Sequence, residues 1–457
     1  MSESKAAVDV DDGAVYRLLK HLIDVRPAEM QALGWSWLYI FCVLSSYYIL
    51  RPIRDEMGVA GGVENLQWLF TGTLVGMILV NPPFAALVAK LPRVRFIAIA
   101  YRFFIANLLI FILLLNLATA EQHIWVGRLF FIWTSVFNLF VVSVFWALMV
   151  DVFDSEQGKR LFGFIAAGAT LGGIAGSSIT ASLAKDVPAT YLLLGSAVLL
   201  EAAVFSVRRL ARLSDALRQR PAAQSGEALI GGNILSGLTH AFKSPYLINM
   251  SVYMLLFAIT STLLYFQQLE IARQSFAERG ARTAFFARID LWVNLLTLAA
   301  QLFLTGRVLR TIGVALTLAM LPALSILGFG TLAITPTIAV LVVYQVLRRA
   351  GNFAFARPTR EVLFTVVPRE DKYKAKSFID TVIYRTGDQV GAWSYAVLGF
   401  LGLAMTGISI VAVPISIAWL LNSLWLGRKQ EGMAAAENLR VQGSTFKACP
   451  EPREGSG

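Results

Sequence analysis

The stretch from Lys90 to His123, KLPRVRFIAIAYRFFIANLLIFILLLNLATAEQH, decides the fold. It opens on Lys90, Arg93 and Arg95, runs through the apolar segment Phe96–Leu117, and ends in a link, Ala118–His123, with neither Lys nor Arg. About 20 predominantly apolar residues are what an α-helix needs to span a bilayer core. Lys and Arg gather in the loops that stay on the cytoplasmic side. A run that is basic at one end only is therefore one membrane crossing, directed from inside to outside.

The same grammar extends along the chain in both directions. Before this stretch come apolar runs at Gly34–Leu50 and Leu66–Val88. After it, a fourth run reaches Asp151, and Leu161–Ala184 and Ala189–Val207 complete a first set of six. Arg208–Lys243 is the longest polar stretch between runs and is strongly basic. Six more runs follow, at Tyr246–Leu269, Phe285–Leu304, Gly313–Ile334, Pro336–Phe355, Ser377–Phe400 and Leu403–Leu426. Arg307, Arg310, Lys372, Lys374 and Lys376 fall inside on this count, and Thr335–Thr337 outside. One link breaks the rule: Arg273, Arg279 and Arg282 are placed outside, accompanied by Glu270 and Glu278.

The expectation is an all-α polytopic membrane protein of about twelve transmembrane helices in two six-helix halves, the layout of major facilitator carriers. Residues 1–33 form a cytoplasmic N-terminal segment with an amphipathic helix over Ala14–Met30. Residues 34–207 form the first half, 208–245 a basic cytoplasmic loop, 246–426 the second half, and 427–457 a cytoplasmic tail. Both termini are then cytoplasmic. Composition agrees: 56% of the 457 residues are hydrophobic and 15% charged, with mean hydropathy +0.63, which leaves no room for a large soluble domain. Most of the net charge of +11 sits in the predicted inside loops, so topology accounts for it without a nucleic-acid partner.

Several catalytic classes are disfavoured. His21, His123 and His240 are scattered, so no His-based catalytic or zinc constellation emerges. Cys42 and Cys449 lie far apart and suggest neither a disulfide framework nor a metal site. Met1–Gly13 has no basic-then-apolar leader, and no phosphate-binding loop of the ATP-driven pumps is present. No enzyme activity, cofactor or metal is expected.

The informative charges are those that topology does not explain. If the tenth helix enters at Pro336, Arg348 lies ~18 Å deep; if the eleventh enters near Lys376, Arg385 lies ~13 Å deep and Asp388 ~18 Å. An ionised group at that depth costs at least ~2.5–3.5 kcal/mol unless it meets a partner or a wet cavity, and transporters bind substrate at that level. Arg385 and Asp388 share a helix face, so an ion pair clipping helices together is the plain alternative. Arg51, Arg54, Asp55 and Glu56 close the first crossing; two arginines on the outer side favour a mouth attractive to anions. Arg102 and Arg128 read as snorkelling. Glu201, deep in the sixth helix, is a candidate proton carrier or a protonated structural carboxyl, and Asp380 a third candidate.

A weak internal repeat supports two related halves. Aligning Lys159 with Lys374 brings Gly172 onto Gly387 and Gly176 onto Gly391. With Gly168 and Gly173, the first set has the spacing of close helix packing. The facilitator loop motif (Gly-x-x-x-Asp-Arg-x-Gly-Arg) is degenerate: Gly306–Gly313 has Arg310 where Asp belongs.

Three short motifs resemble the ATP/ADP translocase (nucleotide transporter) family of plastids and intracellular bacteria. Leu50-Arg51-Pro-Ile-Arg54-Asp55 is similar to that family's Leu-Arg-Ser-x-Lys-Asp. Phe145-Trp146 followed by Gly158-Lys159-Arg160-Leu-Phe-Gly163 resembles its Phe-Trp and Ala-Lys-Arg-Phe-Tyr. Arg360-Glu361 followed by Lys374-Ala-Lys376-Ser-Phe-Ile-Asp380 resembles Arg-Glu and Lys-Gly-Lys-x-x-Ile-Asp. The resemblance implies that Arg54 and Lys374 or Lys376 handle an anionic nucleotide. Arg54 replaces a family Lys, which keeps charge and changes hydrogen-bond geometry; no carboxylate occurs in Val136–Val144, where the family has an acidic element.

The combined expectation is a secondary carrier of a bacterial inner membrane, monomeric, moving an anionic, phosphorylated or nucleotide-like metabolite by alternating access, with exchange as the sharpest version. Arg54, Lys159, Lys374 and Lys376 guide or gate the substrate, and Arg348, Arg385 and Asp388 line the central site. Two other readings fit the same residues: a proton-coupled symporter using Glu201, Asp388 or Asp380, and a membrane sensor or assembly scaffold that moves nothing.

Overall fold

The computed structural model of the protein describes residues 25–90, 93–153, 155–217, 244–367, 375–376 and 378–447. Among the described residues the chain is helical, with short turns and no strands. The helices are α1 Met30–Ala60, α2 Leu66–Lys90, α3 Arg93–Leu117, α4 Ala120–Val152, α5 Ser155–Leu183 and α6 Ala189–Leu217. Then come α7 Pro245–Ser275, α8 Arg279–Phe303 and α9 Thr305–Ile334. Next are α10 Ile338–Leu363, which passes through a π-helical turn at Asn352–Ala356, α11 Tyr384–Phe400, entered through a second π turn at Ile379–Ile383, and α12 Met405–Lys447. Of the expected amphipathic helix over Ala14–Met30, residues 14–24 lie outside the described residues, and its end is a 3-10 turn at Pro27–Glu29 that leads into α1; 218–243 of the central loop, Asp154, Lys372 and Lys374 also lie outside the described residues.

Each of the twelve apolar runs is a helix, and 11 of the described helices are long and apolar enough to cross a membrane. The exception is α11 with its π turn, where Asp380, Arg385 and Asp388 depress the hydropathy. π turns recur at functional positions because the extra residue re-aims the side chains that follow. The first crossing also differs from expectation. Instead of stopping at Leu50, α1 continues through Pro52 to Ala60, so Arg51 to Glu56 lie within the helix. It can do so because its charged turn is neutralised by residues far along the chain.

The chain forms two compact units, one of Met1–Ala228 with Gln268–Leu295, the other of Leu229–Gln267 with Leu296–Gly457. The first unit thus includes the end of α7 and the start of α8, which the sequence pattern assigns to the second half.

In the first unit, α1 packs along α5 and α6. The contact is close because α5 presents glycine there: a Cβ added at Gly172 would stand 2.5 Å from the Phe41 carbonyl oxygen, and Gly176 faces the Ser45 carbonyl and Tyr48. Ser45 Oγ donates to the Gly172 carbonyl at 3.0 Å, tightening the same crossing. Tyr39 and Tyr101, both fully buried, share a 2.6 Å hydroxyl hydrogen bond, and Tyr101 donates on to the Val141 carbonyl.

In the second unit, α9 packs along α12, and the α5 pattern recurs in α11. A Cβ at Gly387 would lie 2.9 Å from the Leu255 carbonyl oxygen of α7, and one at Gly391 3.0 Å from that of Ile259. Two glycines four apart meet two carbonyls four apart in each unit, which gives the sequence repeat a physical meaning. At the turn where the loop motif lacks its acid, Gly313 takes φ +78°, a conformation that side chains disfavour. Glu431 of α12 supplies a carboxylate there, accepting from the Val314 and Ala315 amides at 2.8 and 3.1 Å. Those amides begin a helical segment and otherwise lack partners.

Candidate functional site

The first charged site lies in the last turns of α1. Arg51 pairs with Asp290 of α8 at 3.3 Å, with the Asp290 side chain only 2% exposed. Arg54 donates twice to Asp55, at 2.6 and 3.0 Å, lies over the Phe131 ring, and reaches Ser135 Oγ at 3.5 Å. Glu56 receives both Arg279, in a two-pronged contact at 3.0 and 3.1 Å, and Arg282 at 3.0 Å. Arg282 also donates to the carbonyls of Phe276 and Ala277. Asp55 and Glu56 are buried, so their charges are compensated by arginine instead of water.

The sequence reading expects a mouth attractive to anions at Arg51 and Arg54. Arg51 and Arg54 are engaged by carboxylates, and the basic link that broke the topology rule is explained: Arg279 and Arg282 neutralise Glu56, while Arg273 pairs with Glu270. A cavity of about 520 Å³ opens beside this cluster, lined by Glu56, His123, Lys185, Arg279 and Thr283 among others.

The second site is Arg348 of α10. Its side chain is buried in the second unit and donates to Ser261 Oγ (2.9 Å), Thr260 Oγ1 (3.0 Å), Ser325 Oγ (3.3 Å) and the Phe257 carbonyl (3.4 Å). The rings of Phe257 and Trp419 lie 5.4 and 5.9 Å from the guanidinium carbon. Among the described residues, every one of these partners is neutral. Uncompensated buried charge is expensive, so this guanidinium is held ready for an anion or is stabilised by hydroxyls and ring faces alone.

Arg385 and Asp388 form the i, i+3 pair that their spacing suggests, at 3.2 Å, and Thr262 donates to the same carboxylate at 3.3 Å. They do not touch Arg348. The two groups bind consecutive residues of α7, Thr260 and Ser261 on one hand and Thr262 on the other, so the expected central trio is two neighbouring sites on one helix. The third family-like motif also comes together: Arg360 approaches Asp380 at 3.9 Å and donates to the Met254 sulfur at 3.1 Å, and Lys376 pairs with Glu361. Lys374 lies outside the described residues, and Lys159 is placed only as part of α5. Beside it, Arg160 grips the buried Glu29 at 2.9 and 3.3 Å, with Gln157 as a second donor.

Glu201 is not the isolated carboxylate that the sequence suggests: Arg102 of α3 binds it at 2.7 Å. Sequence reasoning missed Asp290, though the signal was there, since it is a carboxylate inside the apolar run Phe285–Leu304. It also missed the hydroxyl cradle of Arg348, because Ser and Thr carry no warning when they fall in apolar helices.

No family model matches the chain. Two curated relatives cover nearly all of it. The ADP,ATP carrier protein 2 of Chlamydia pneumoniae is 20% identical over 498 residues, covering 92% of both chains. The ADP,ATP carrier protein 1 of Chlamydia trachomatis is 20% identical over 528 residues, covering 96% of this chain and 98% of the relative. Among solved structures, a bacterial homologue of the iron transporter ferroportin in an inward-facing state aligns with TM-score 0.59 at 13% identity, over 88% of this chain and 98% of that one. The nucleoside transporter NupG aligns with TM-score 0.52 at 16% identity, over 89% and 99%. The chain is a multi-pass membrane protein with the major facilitator fold, similar along its length to carrier proteins, and these comparisons set it among transporters rather than enzymes.

Proposed function

We propose that this protein is a secondary transporter of a bacterial inner membrane that moves an anionic, phosphorylated or nucleotide-like metabolite by alternating access, in exchange for a second anion. The observation that carries the reading is Arg348: a buried guanidinium whose partners are hydroxyls, a carbonyl and aromatic faces. Hydrogen bonds from a guanidinium to an anion are roughly twice as strong as those between neutral groups, so a phosphate or carboxylate displaces hydroxyls from it readily. Similarity to ADP,ATP carriers supports phosphate as the anion, and the rings of Phe257 and Trp419 give a flat apolar surface beside it.

Arg54, Arg360, Glu361, Lys376, Asp380, Arg385 and Asp388 are proposed as guiding or gating groups, each paired in the present state and each requiring its pair to be exchanged as the carrier cycles. Lys159 and Lys374 belong to the same proposal through the family resemblance. The test is counterflow in proteoliposomes. Labelled ATP or ADP is taken up only when the lumen holds unlabelled nucleotide or phosphate, an uncoupler leaves uptake unchanged, and Arg348→Gln abolishes it in protein that still folds. Uptake that collapses with the uncoupler, or an Arg348→Gln variant with unaltered exchange, refutes the reading.

A further inference from the structure

The pair of Arg102 and Glu201 lies where a membrane protein has no use for it. Glu201 is twelve residues into α6 from Ala189, ~18 Å along the helix at 1.5 Å per residue, and so well within a hydrocarbon core ~30 Å thick. Both side chains are about half exposed, 47% for Arg102 and 50% for Glu201. The residues around them are those of a lipid-facing surface: Ile99 and Phe103 on α3, and Val198 and Phe205 on α6, are all exposed. Glu201 stands in the middle of that α6 stripe, between Val198 and Phe205 at helical spacing. Intramembrane charges face a bundle interior or a wet cavity almost without exception. This one faces outward.

Two more features distinguish this surface. Gly195, on α6 before Glu201, is exposed and has nothing within 4 Å of the position a Cβ would take, and Ala106, one turn after Arg102 on α3, is likewise small and exposed. Small residues on a membrane helix let a second backbone approach closely. The charges also select the partner. An acid and a base side by side on one face are self-complementary under a two-fold axis. Rotation brings Arg102 towards Glu201 of the partner subunit and Glu201 towards the partner's Arg102, which closes a four-membered ring of alternating charge. A different partner would need its own matching acid and base; a second copy has them by symmetry.

We infer that the α3–α6 face is a dimer interface, in which two copies of this chain bury their Arg102–Glu201 pairs against each other around Gly195. This replaces the monomer expected from the sequence, and it stands independently of what the protein carries.

The experiment uses the full chain in lipid nanodiscs. Mass photometry of the wild type is expected to give two copies of the 50.1 kDa chain. Gly195→Trp, which has free space in the single chain, is expected to yield one copy with an unchanged melting profile. Val198→Cys is expected to form an intermolecular disulfide under mild oxidation, above the background of a control with only Cys42 and Cys449. A wild type that is monomeric at micromolar concentration, leaving the pair to lipid, overturns the inference. So does a dimer that ignores Gly195→Trp and fails to cross-link through position 198.

Discussion

Replacing Glu56 with Gln tests whether the charge cluster of α1 fixes the end of α7 and the start of α8 to the first unit. The carboxylate is 4% exposed and binds Arg279 and Arg282, which are 46% and 11% exposed. Glutamine keeps the shape and one acceptor oxygen but removes the charge and points an amide at a guanidinium. Arg279 can turn to water, so its share is that of a surface pair, ~0–1 kcal/mol. Arg282 cannot; breaking a buried pair costs ~3–5 kcal/mol, reduced here because its bonds to the Phe276 and Ala277 carbonyls persist. The net loss is then ~2–4 kcal/mol, and at about 1.4 kcal/mol per factor of ten local opening rises by about thirtyfold to a thousandfold. Amide hydrogen exchange over residues 276–284 reads this directly. Glu121→Gln, exposed in the first turn of α4, is the control. Exchange in the Glu56→Gln protein within threefold of wild type in that segment refutes the reasoning, and so does an acceleration spread evenly over the whole chain, which would mean general unfolding instead of a released latch.

Other substitutions separate the roles argued above. Gly172→Ala forces a methyl against the Phe41 carbonyl and is expected to cost ~1–3 kcal/mol by overpacking, whereas Gly163→Ala, with open space around it, is expected to stabilise α5 by ~0.5–1 kcal/mol; denaturation in mixed detergent measures both. Glu431→Ala strips the cap from Val314 and Ala315 and is expected to cost ~1 kcal/mol, seen as faster exchange confined to residues 313–318. Lys376→Gln breaks a half-exposed pair with Glu361, so stability should change by less than ~1 kcal/mol while nucleotide counterflow falls at least tenfold; unchanged transport removes Lys376 from the proposed path.

Topology was legible because the bilayer imposes it. Apolar length and Lys–Arg placement alone locate the helices, and even the one misplaced link was visible as an exception. The glycine repeat was legible too, since Gly172, Gly176, Gly387 and Gly391 recur at a spacing that only close packing explains. The pairings of Arg51 with Asp290 and of Glu201 with Arg102 were not, because they join helices far apart in sequence, and a linear pattern records no distance across the bundle. Nor did the pattern disclose that Arg348 and Asp388 bind different, though consecutive, residues of α7, since helical rise gives depth and not azimuth.

The sequence by itself thus determined that this chain has about twelve membrane-spanning helices in two halves, because hydrophobic length and side-chain charge are local properties. Only the tertiary structure decided which charges are neutralised, which guanidinium is left with neutral partners, and which ion pair faces outward. Those outcomes depend on helix rotation and on which helices become neighbours, and packing sets both.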